Sequence, residues 1–335
     1  MNALILGTGS WGTAFGLHLA KNWDNVVMWG IEESQVNAIN NLHCNPDFLP
    51  NIELPGNISA TLDLASATPD ADAIFIVTPS QVTRSVAAQL CKCTLKNTAP
   101  VISMSKGLEL STLKRMSEVI TEEVAIDDAG NIHPIGALLG PSHAEEVGLD
   151  QPAALVLAGT SEIWHQWQKK LSTDRFRVYT NHDIIGVEIS SAFKNVLAIA
   201  TGICDGLGYG DNIRGALMTR GIAELTQLGS VLGGRDETFY GLAGIGDMIT
   251  TCTSRHSRNR NFGESVVKEN ISPDDILNKS VQIVEGVVMT EAALKLSLQH
   301  SLELPISTEV YNVLFQGKNP EIAIKDLMDR TLKAE

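Results

Sequence analysis

Two kinds of apolar pattern divide the chain. Up to residue 181, short apolar runs bounded by glycine, proline and aspartate recur at 3–6, 25–30, 71–79, 100–107, 135–141, 153–159 and 176–181. Runs of this length, rich in valine and isoleucine, read as buried strands. Stretches with helical spacing separate several of them, as at 13–21, 80–92 and 111–123. Such alternation predicts an α/β fold, a doubly wound sheet with helices on its faces. After Asn181 the pattern changes. Apolar residues three and four apart dominate 183–204, 213–233, 240–252, 259–269, 288–300, 306–315 and 320–333. The expected organisation is a doubly wound domain over 1–182 and an all-α domain over 183–335. That is a natural division for 335 residues.

The first strand–helix junction carries chemistry. Gly7, Gly9 and Gly12 give G-x-G-x-x-G with Ser10 and Trp11 inside it, directly after the strand 3–6 and before a helix. The first glycine suits a tight turn, the second lets backbone approach a pyrophosphate, and the third lets helix and strand pack closely. The helix start then meets phosphate with N–H groups and its positive dipole end. In this context the motif predicts a Rossmann-type dinucleotide site rather than a turn serving packing alone. Glu32 and Glu33 follow the second strand, about 20 residues past the last glycine, where an acid can bond a ribose. They can equally open a solvated helix. No Lys or Arg occurs from Asn22 to Thr83, so a 2′-phosphate meets no cation there, and the sequence leans to NAD over NADP. Three features fall at the carboxyl ends of later strands, where ligands of such sheets bind: TPSQ (78–81), Lys106 and GPSHAEEV (140–147). Lys106 also reads as an ordinary loop lysine. Ser142 with Glu145 has the spacing of a capping box, which starts a helix.

In the helical half, EISSAFKNVLAIATG (188–202) places Lys194, with Asn195 beside it, on an otherwise apolar helix. Its neighbours one turn away are Ser190, Ser191 and Ala198. A lysine can snorkel from such a helix to water. It can also exchange a proton with a carbinol oxygen, because burial lowers its pKa toward neutrality while a nearby carboxylate raises it. GLAGIGDMITTC (241–252) presents Asp247, and SRHSRNRNFG (254–263) gathers Arg255, Arg258 and Arg260 within six residues. Guanidinium groups hold phosphate by paired hydrogen bonds, although a solvated charged helix face has the same composition.

Charge sharpens the contrast. The formal net charge is −14, from 25 basic and 39 acidic side chains. A surface this negative argues against nucleic acid or an anionic membrane as partner. The arginine cluster is therefore a local exception suited to a small anion. Five cysteines, at 44, 91, 93, 204 and 252, are odd in number and irregular in spacing. They suggest free thiols in the cytoplasm, and the Cys91–Cys93 pair lacks the second pair that a zinc site requires, so no metal is expected. There is no basic leader before the first strand and no run of about 18 apolar residues that would span a membrane.

Taken in order, GTGSWGTA, SKGLE, GPSHAEEV, SAFKNVLAIATGICDGLGYGDN, TRGIAEL, GLAGIGDMITTCTSRHSRNRNFG and VEGV resemble bacterial-type NAD(P)-dependent glycerol-3-phosphate dehydrogenase over most of the chain. The resemblance implies interconversion of sn-glycerol 3-phosphate and dihydroxyacetone phosphate for glycerophospholipid synthesis, by a cytoplasmic homodimer. It implies Lys194 as proton acceptor with Asp247 beside it. It implies Lys106, Gly140, Ser142, Asn195, Asp247, Ser257, Arg258 and Asn259 as substrate contacts. Ser10, Trp11, Ile31, Lys106, Ala144, Arg258, Ile283 and Glu285 match cofactor contacts, beside Gly7, Gly9, Gly12 and Glu32. His143 and Glu145 depart from the family's usual residues, and Ile31 stands where some relatives carry a polar residue, so NAD or NADP remains open with the lean to NAD. Two other readings stand beside this one. A 3-hydroxy-acid dehydrogenase of similar build would use the lysine but has less use for the arginines. A non-catalytic nicotinamide sensor would need only the glycine loop.

Overall fold

The computed structural model describes residues 1–126, 130–269, 272–279 and 283–332. They form two compact units: Met1–Glu109 with Lys114–Ile184, and Leu110–Leu113 with Ile185–Glu335.

The first unit is built on eight strands: β1 (Asn2–Leu6), β2 (Asn25–Trp29), β3 (Ile58–Thr61), β4 (Ala73–Ile76), β5 (Val101–Ser103), β6 (Ile135–Leu139), β7 (Ala153–Ala158) and β8 (Phe176–Asn181). Their spatial order is β3-β2-β1-β4-β5-β6-β7-β8. All neighbours are parallel except β6 and β7. The apolar runs lack strict alternation because both faces are covered. Ala3, Ile5 and Phe75 join one core with Phe15, Trp23 and Trp164, while Leu4, Leu6, Ile74 and Ile76 join another with Leu90 and Ile120. Strand order reverses between β1 and β4, so connections leave β1 and β4 toward opposite sides and open a crevice at their carboxyl ends. Two sequence expectations change. β3 was not foreseen, since ISAT is short, at the sheet edge and buried only at alternate positions. The apolar runs 71–79 and 100–107 contain strands of only four and three residues; the remainder are loops that carry Thr78 and Lys106.

Among the described residues the second unit is helical. Its centre is the helix Ile184–Gly206, in which every residue from Gly186 to Cys204 is buried. It is long and apolar enough to cross a membrane by composition, yet 89% of its apolar window is buried inside the fold. A helix that is apolar all round belongs at the centre of a bundle. Arg258–Lys268 crosses it at backbone contact. A Cβ on Gly202 would lie 1.9 Å from the Arg260 carbonyl oxygen, and one on Gly263 2.2 Å from that of Ile199. The remaining long helices are Asp211–Val231, Glu285–His300, Pro305–Phe315 and Pro320–Met328. The last expectation, 320–333, thus ends at Met328, and its final residue lies outside the described residues. The run 240–252 divides into a wide turn, Leu242–Gly246, and the helix Asp247–Thr253.

Candidate active site

The sequence-expected residues of the first unit gather at the carboxyl ends of adjacent parallel strands. Gly7 ends β1 at φ +129°, and a Cβ there would lie 2.8 Å from the Val77 carbonyl. Gly12 lies so close to the turn that a Cβ would sit 2.2 Å from the Gly7 carbonyl. A Cβ on Gly9, by contrast, would meet nothing within 4 Å. That glycine faces open space. The helix Ser10–Leu19 starts at this loop, with Trp11 half-buried against the core. After β2, Ile31 is 77% exposed, and Glu32 and Glu33, also exposed, start a short helix, Glu33–Asn37. Both carboxylates are exposed at the end of β2, where starting a short helix and bonding a ribose are compatible.

After β5, the Lys106 ammonium donates to the Gly140 carbonyl at 2.9 Å. Gly140 follows β6 at φ +141°, and Ser142 Oγ donates to the same carbonyl at 3.0 Å. The expected capping box is absent. The short helix starts at Ala144 with His143 at its cap, and Ser142 lies one residue too early, its hydroxyl turned back to Gly140. Gln81 of the TPSQ stretch donates to the Leu108 carbonyl at 2.7 Å, tying the loops after β4 and β5 together.

In the second unit the lysine does not reach for water. Lys194 and Asp247 are 2% and 1% exposed and form a buried ion pair. Lys194 Nζ also donates to Thr251 Oγ1 at 2.6 Å. Asp247 and Thr251 are four residues apart on one helix, so they share a face. Thr251 Oγ1 donates to Asp247 Oδ1 at 3.4 Å, and Ser191 Oγ, one turn before the lysine, donates to Oδ2 at 3.5 Å. Asp247 is aimed by the turn before it: Leu242–Gly246 folds with hydrogen bonds wider than a normal helix, a form common at functional sites. Gly244 permits this, since a Cβ there would lie 1.9 Å from the Phe239 carbonyl. Burying two charges is costly, and an apolar pair of equal volume is often as stable. The pair is therefore better explained by chemistry than by stability. Cys252 lies next to this cluster, but burial pushes its thiol up to about 12, so it is not a thiolate nucleophile.

The arginine cluster divides. Arg260 folds onto Asp205 at 2.6 Å, where Arg214 also binds at 2.8 Å, so it is spent on structure. Arg258 opens the helix Arg258–Lys268 and is exposed; its Nη1 lies 3.4 Å from the Ile283 carbonyl. Ser257 is the cap, its Oγ accepting from the Arg260 N–H at 3.3 Å. Asn259 Nδ2 donates to Asn195 Oδ1 at 2.9 Å, and its Oδ1 accepts from the Gly286 N–H at 2.9 Å. The two asparagines thus join three helices at the level of the lysine. Ile283 is half-exposed, and Glu285 starts the helix Glu285–His300. Thr251 and Ser191 were not singled out from sequence. Their only signal was spacing, four residues after Asp247 and three before Lys194.

Comparison with known proteins accords with this arrangement. Residues 2–164 and 183–325 match the family descriptions NAD-dependent glycerol-3-phosphate dehydrogenase N-terminus and C-terminus. A glycerol-3-phosphate dehydrogenase (NAD(P)+) of Salinibacter ruber is 42% identical over 99% of this chain and 95% of its own. One from Bacillus licheniformis is 44% identical over 97% and 93%. The crystal structure of glycerol-3-phosphate dehydrogenase from Coxiella burnetii superposes with a TM-score of 0.91 at 35% identity, over 98% of this chain and 99% of that one. With a glycine loop at the strand reversal, a lysine–aspartate pair buried among helices, and both halves matched along nearly their full length, the chain belongs to the NAD-dependent glycerol-3-phosphate dehydrogenase family.

Proposed function

We propose that the chain interconverts sn-glycerol 3-phosphate and dihydroxyacetone phosphate with a nicotinamide dinucleotide, with residues 1–182 holding the dinucleotide and 183–335 the substrate and the proton chemistry. The observation that carries this reading is the buried Lys194–Asp247–Thr251 cluster. Gly7, Gly9, Gly12, Ser10 and Trp11 fit the pyrophosphate side of the dinucleotide, because the loop leaves open volume over Gly9 and offers the start of a ten-residue helix. When bound, the nicotinamide gives or takes the hydride.

The proton is the protein's part. In reduction, Lys194 as ammonium donates to the ketone oxygen; in oxidation, neutral Lys194 accepts the proton of the secondary hydroxyl. Asp247 and Thr251 hold Nζ at a fixed point, and Asp247 stabilises the ammonium. Arg258, with the N–H groups of the helix start capped by Ser257, binds the phosphate, so that binding energy far from the carbinol positions it. Asn195 and Asn259 brace that helix start against the lysine helix. Lys106, held by the Gly140 carbonyl beside Ser142, is assigned with them to substrate contacts on the family resemblance. Ala144, Ile283 and Glu285 are assigned to cofactor contacts on the family resemblance. Glu32 is assigned to the ribose, and the absence of Lys and Arg from 22 to 83 favours NAD over NADP. Supply of glycerol phosphate for phospholipid synthesis, in the cytoplasm and as a homodimer, is the setting the family resemblance supports.

The test is a steady-state assay with dihydroxyacetone phosphate and NADH or NADPH, against unphosphorylated dihydroxyacetone. Turnover that needs the phosphate and is faster with NADH supports the reading. Absence of turnover with either cofactor would remove it.

A further inference from the structure

Behind the glycine loop lies a residue that the reaction does not explain. Asn45 is completely buried, in the irregular segment between the helical turns after β2 and β3. That segment is anchored in the core by Leu49 and Leu54, each 2% exposed, and the Leu49 N–H donates to the Asn45 carbonyl at 2.9 Å. Asn45 Nδ2 donates to the Thr8 carbonyl at 2.7 Å and to Thr13 Oγ1 at 2.8 Å. Thr13 Oγ1 passes the connection on, donating to the Gly9 carbonyl at 3.0 Å. Because the Thr8 carbonyl can only accept, the amide orientation is fixed by the network. Both amide hydrogens are thus spent on the loop. Asn45 Oδ1, equally buried, has no hydrogen-bond partner among the described residues. A buried amide left half unsatisfied is a poor choice for stability. It is a sensible choice for pulling two carbonyls of one loop to the same side.

We propose that Asn45 is a positioning residue for the dinucleotide, a reading that rests on the glycine loop being the pyrophosphate site. In Gly7-Thr8-Gly9 each peptide has an N–H and a C=O on opposite sides. Holding the Thr8 and Gly9 carbonyls inward, directly and through Thr13, aims the following N–H groups outward over Gly9, where a Cβ would meet nothing. Thr8 is fixed from its other side: its hydroxyl donates to Gln35 Oε1 at 2.6 Å, and Gly30 leaves the room its side chain fills. The Gly9 carbonyl also accepts the Thr13 N–H at 2.9 Å as the first bond of the helix, so the peptide that Asn45 itself sets is the one between Thr8 and Gly9. The loop is in this way preorganised for an anion before the ligand arrives.

The experiment uses Asn45→Leu and Thr13→Val, which keep volume and add no charge near a phosphate, together with the double variant. NADH affinity is read by fluorescence titration, and KM for NADH, KM for dihydroxyacetone phosphate and kcat by steady-state kinetics. Each single variant is expected to raise Kd and KM for NADH about tenfold, with kcat and the other KM within about twofold. The double variant is expected to fall well short of the product of the two single effects, because both act on one chain of bonds. If Asn45→Leu fails to fold, Thr13→Val reads the same chain from its far end. Unchanged NADH affinity in the variants, whatever their melting temperature, would make Asn45 a structural brace only and overturn the proposal; so would equal losses in kcat and in both KM values. Wild-type protein that takes up no NADH would overturn the reading of the loop itself, and the role of Asn45 with it.

Discussion

Lys194 illustrates how much a single buried charge constrains. Its ammonium is held by Asp247 and by Thr251 at 2.6 Å, with Ser191 on the far carboxylate oxygen. On the proposed role, Lys194→Ala removes the proton carrier, and kcat is expected to fall by about 10²–10⁴, the usual contribution of a general acid–base group. The check is kcat at saturating substrate; near-normal turnover would discard the assignment. Arg258 is a different kind of residue, exposed at the start of its helix. Losing a charge-assisted bond worth about 1.5–3 kcal/mol raises KM for the phosphate substrate roughly 10- to 100-fold in Arg258→Ala. Dihydroxyacetone kinetics should be unaffected, and equal weakening of both substrates would refute a phosphate role. At this scale the sequence was legible where a residue was odd for its surroundings: a lysine on an apolar helix, an arginine cluster in an acidic chain. It was silent where the residue was ordinary. Thr251 and Asn45 are common polar residues, and only the fold brings their side chains to a lysine and a loop. Arg260 was legible as basic but not as spent, because its partner Asp205 lies 55 positions earlier in the chain.

Elements are held at the site by small residues. Gly202 and Gly263 let two helices meet at their backbones, which sets Asn195 opposite Asn259. Gly202→Ala places a methyl 1.9 Å from a carbonyl oxygen, and neither backbone is the end of a flexible side chain. Overpacking of this kind costs about 1–3 kcal/mol, so thermal or denaturant unfolding should show that loss. Activity should fall with it, as the helix start carrying Arg258 moves. An equally stable and active variant would mean that the crossing is slack. Strands were readable because both sheet faces are apolar, and the long helices because their spacing is regular. The edge strand β3 and the wide turn Leu242–Gly246 were not. The first buries too few residues, and the second is dictated by the close approach of Gly244 to Phe239 rather than by any periodic pattern. The capping box at Ser142 misled because Gly140, at positive φ, turns the chain and takes the Ser142 hydroxyl on its carbonyl, and the helix begins one residue later than the motif suggests.

At the scale of the molecule, the charge of −14 sets the background against which one phosphate must be bound, and a buried carboxylate ties the helical unit to pH. Glu224, on Asp211–Val231, accepts from the Ile306 N–H at 2.6 Å, the Ser307 N–H at 3.2 Å and Ser307 Oγ at 3.1 Å. It caps the helix Pro305–Phe315, whose own cap residue, Leu304, has no polar side chain to offer. Burial pushes its carboxyl up to about 7, against the opposing pull of those hydrogen bonds and of Arg330. The folded protein thus binds this proton more tightly than the unfolded chain. Its contribution to stability is full below the unfolded pKa of 4.5 and is lost as pH rises to about 7. The loss amounts to about 3 kcal/mol at 1.36 kcal/mol per pKa unit. Glu224→Gln should flatten the dependence of melting temperature on pH between 5 and 7.5, and an unchanged slope would exclude Glu224 as its source. The asparagine bridge has a consequence of another kind. The Gly286 amide proton is bound to Asn259 Oδ1, and so to the lysine helix through Asn195. It can exchange with deuterium only when that bond opens. One glycine signal in a labelled sample is therefore a clock for the opening of the helix junction. It should run faster in Asn195→Ala and slower once inorganic phosphate occupies the Arg258 helix start.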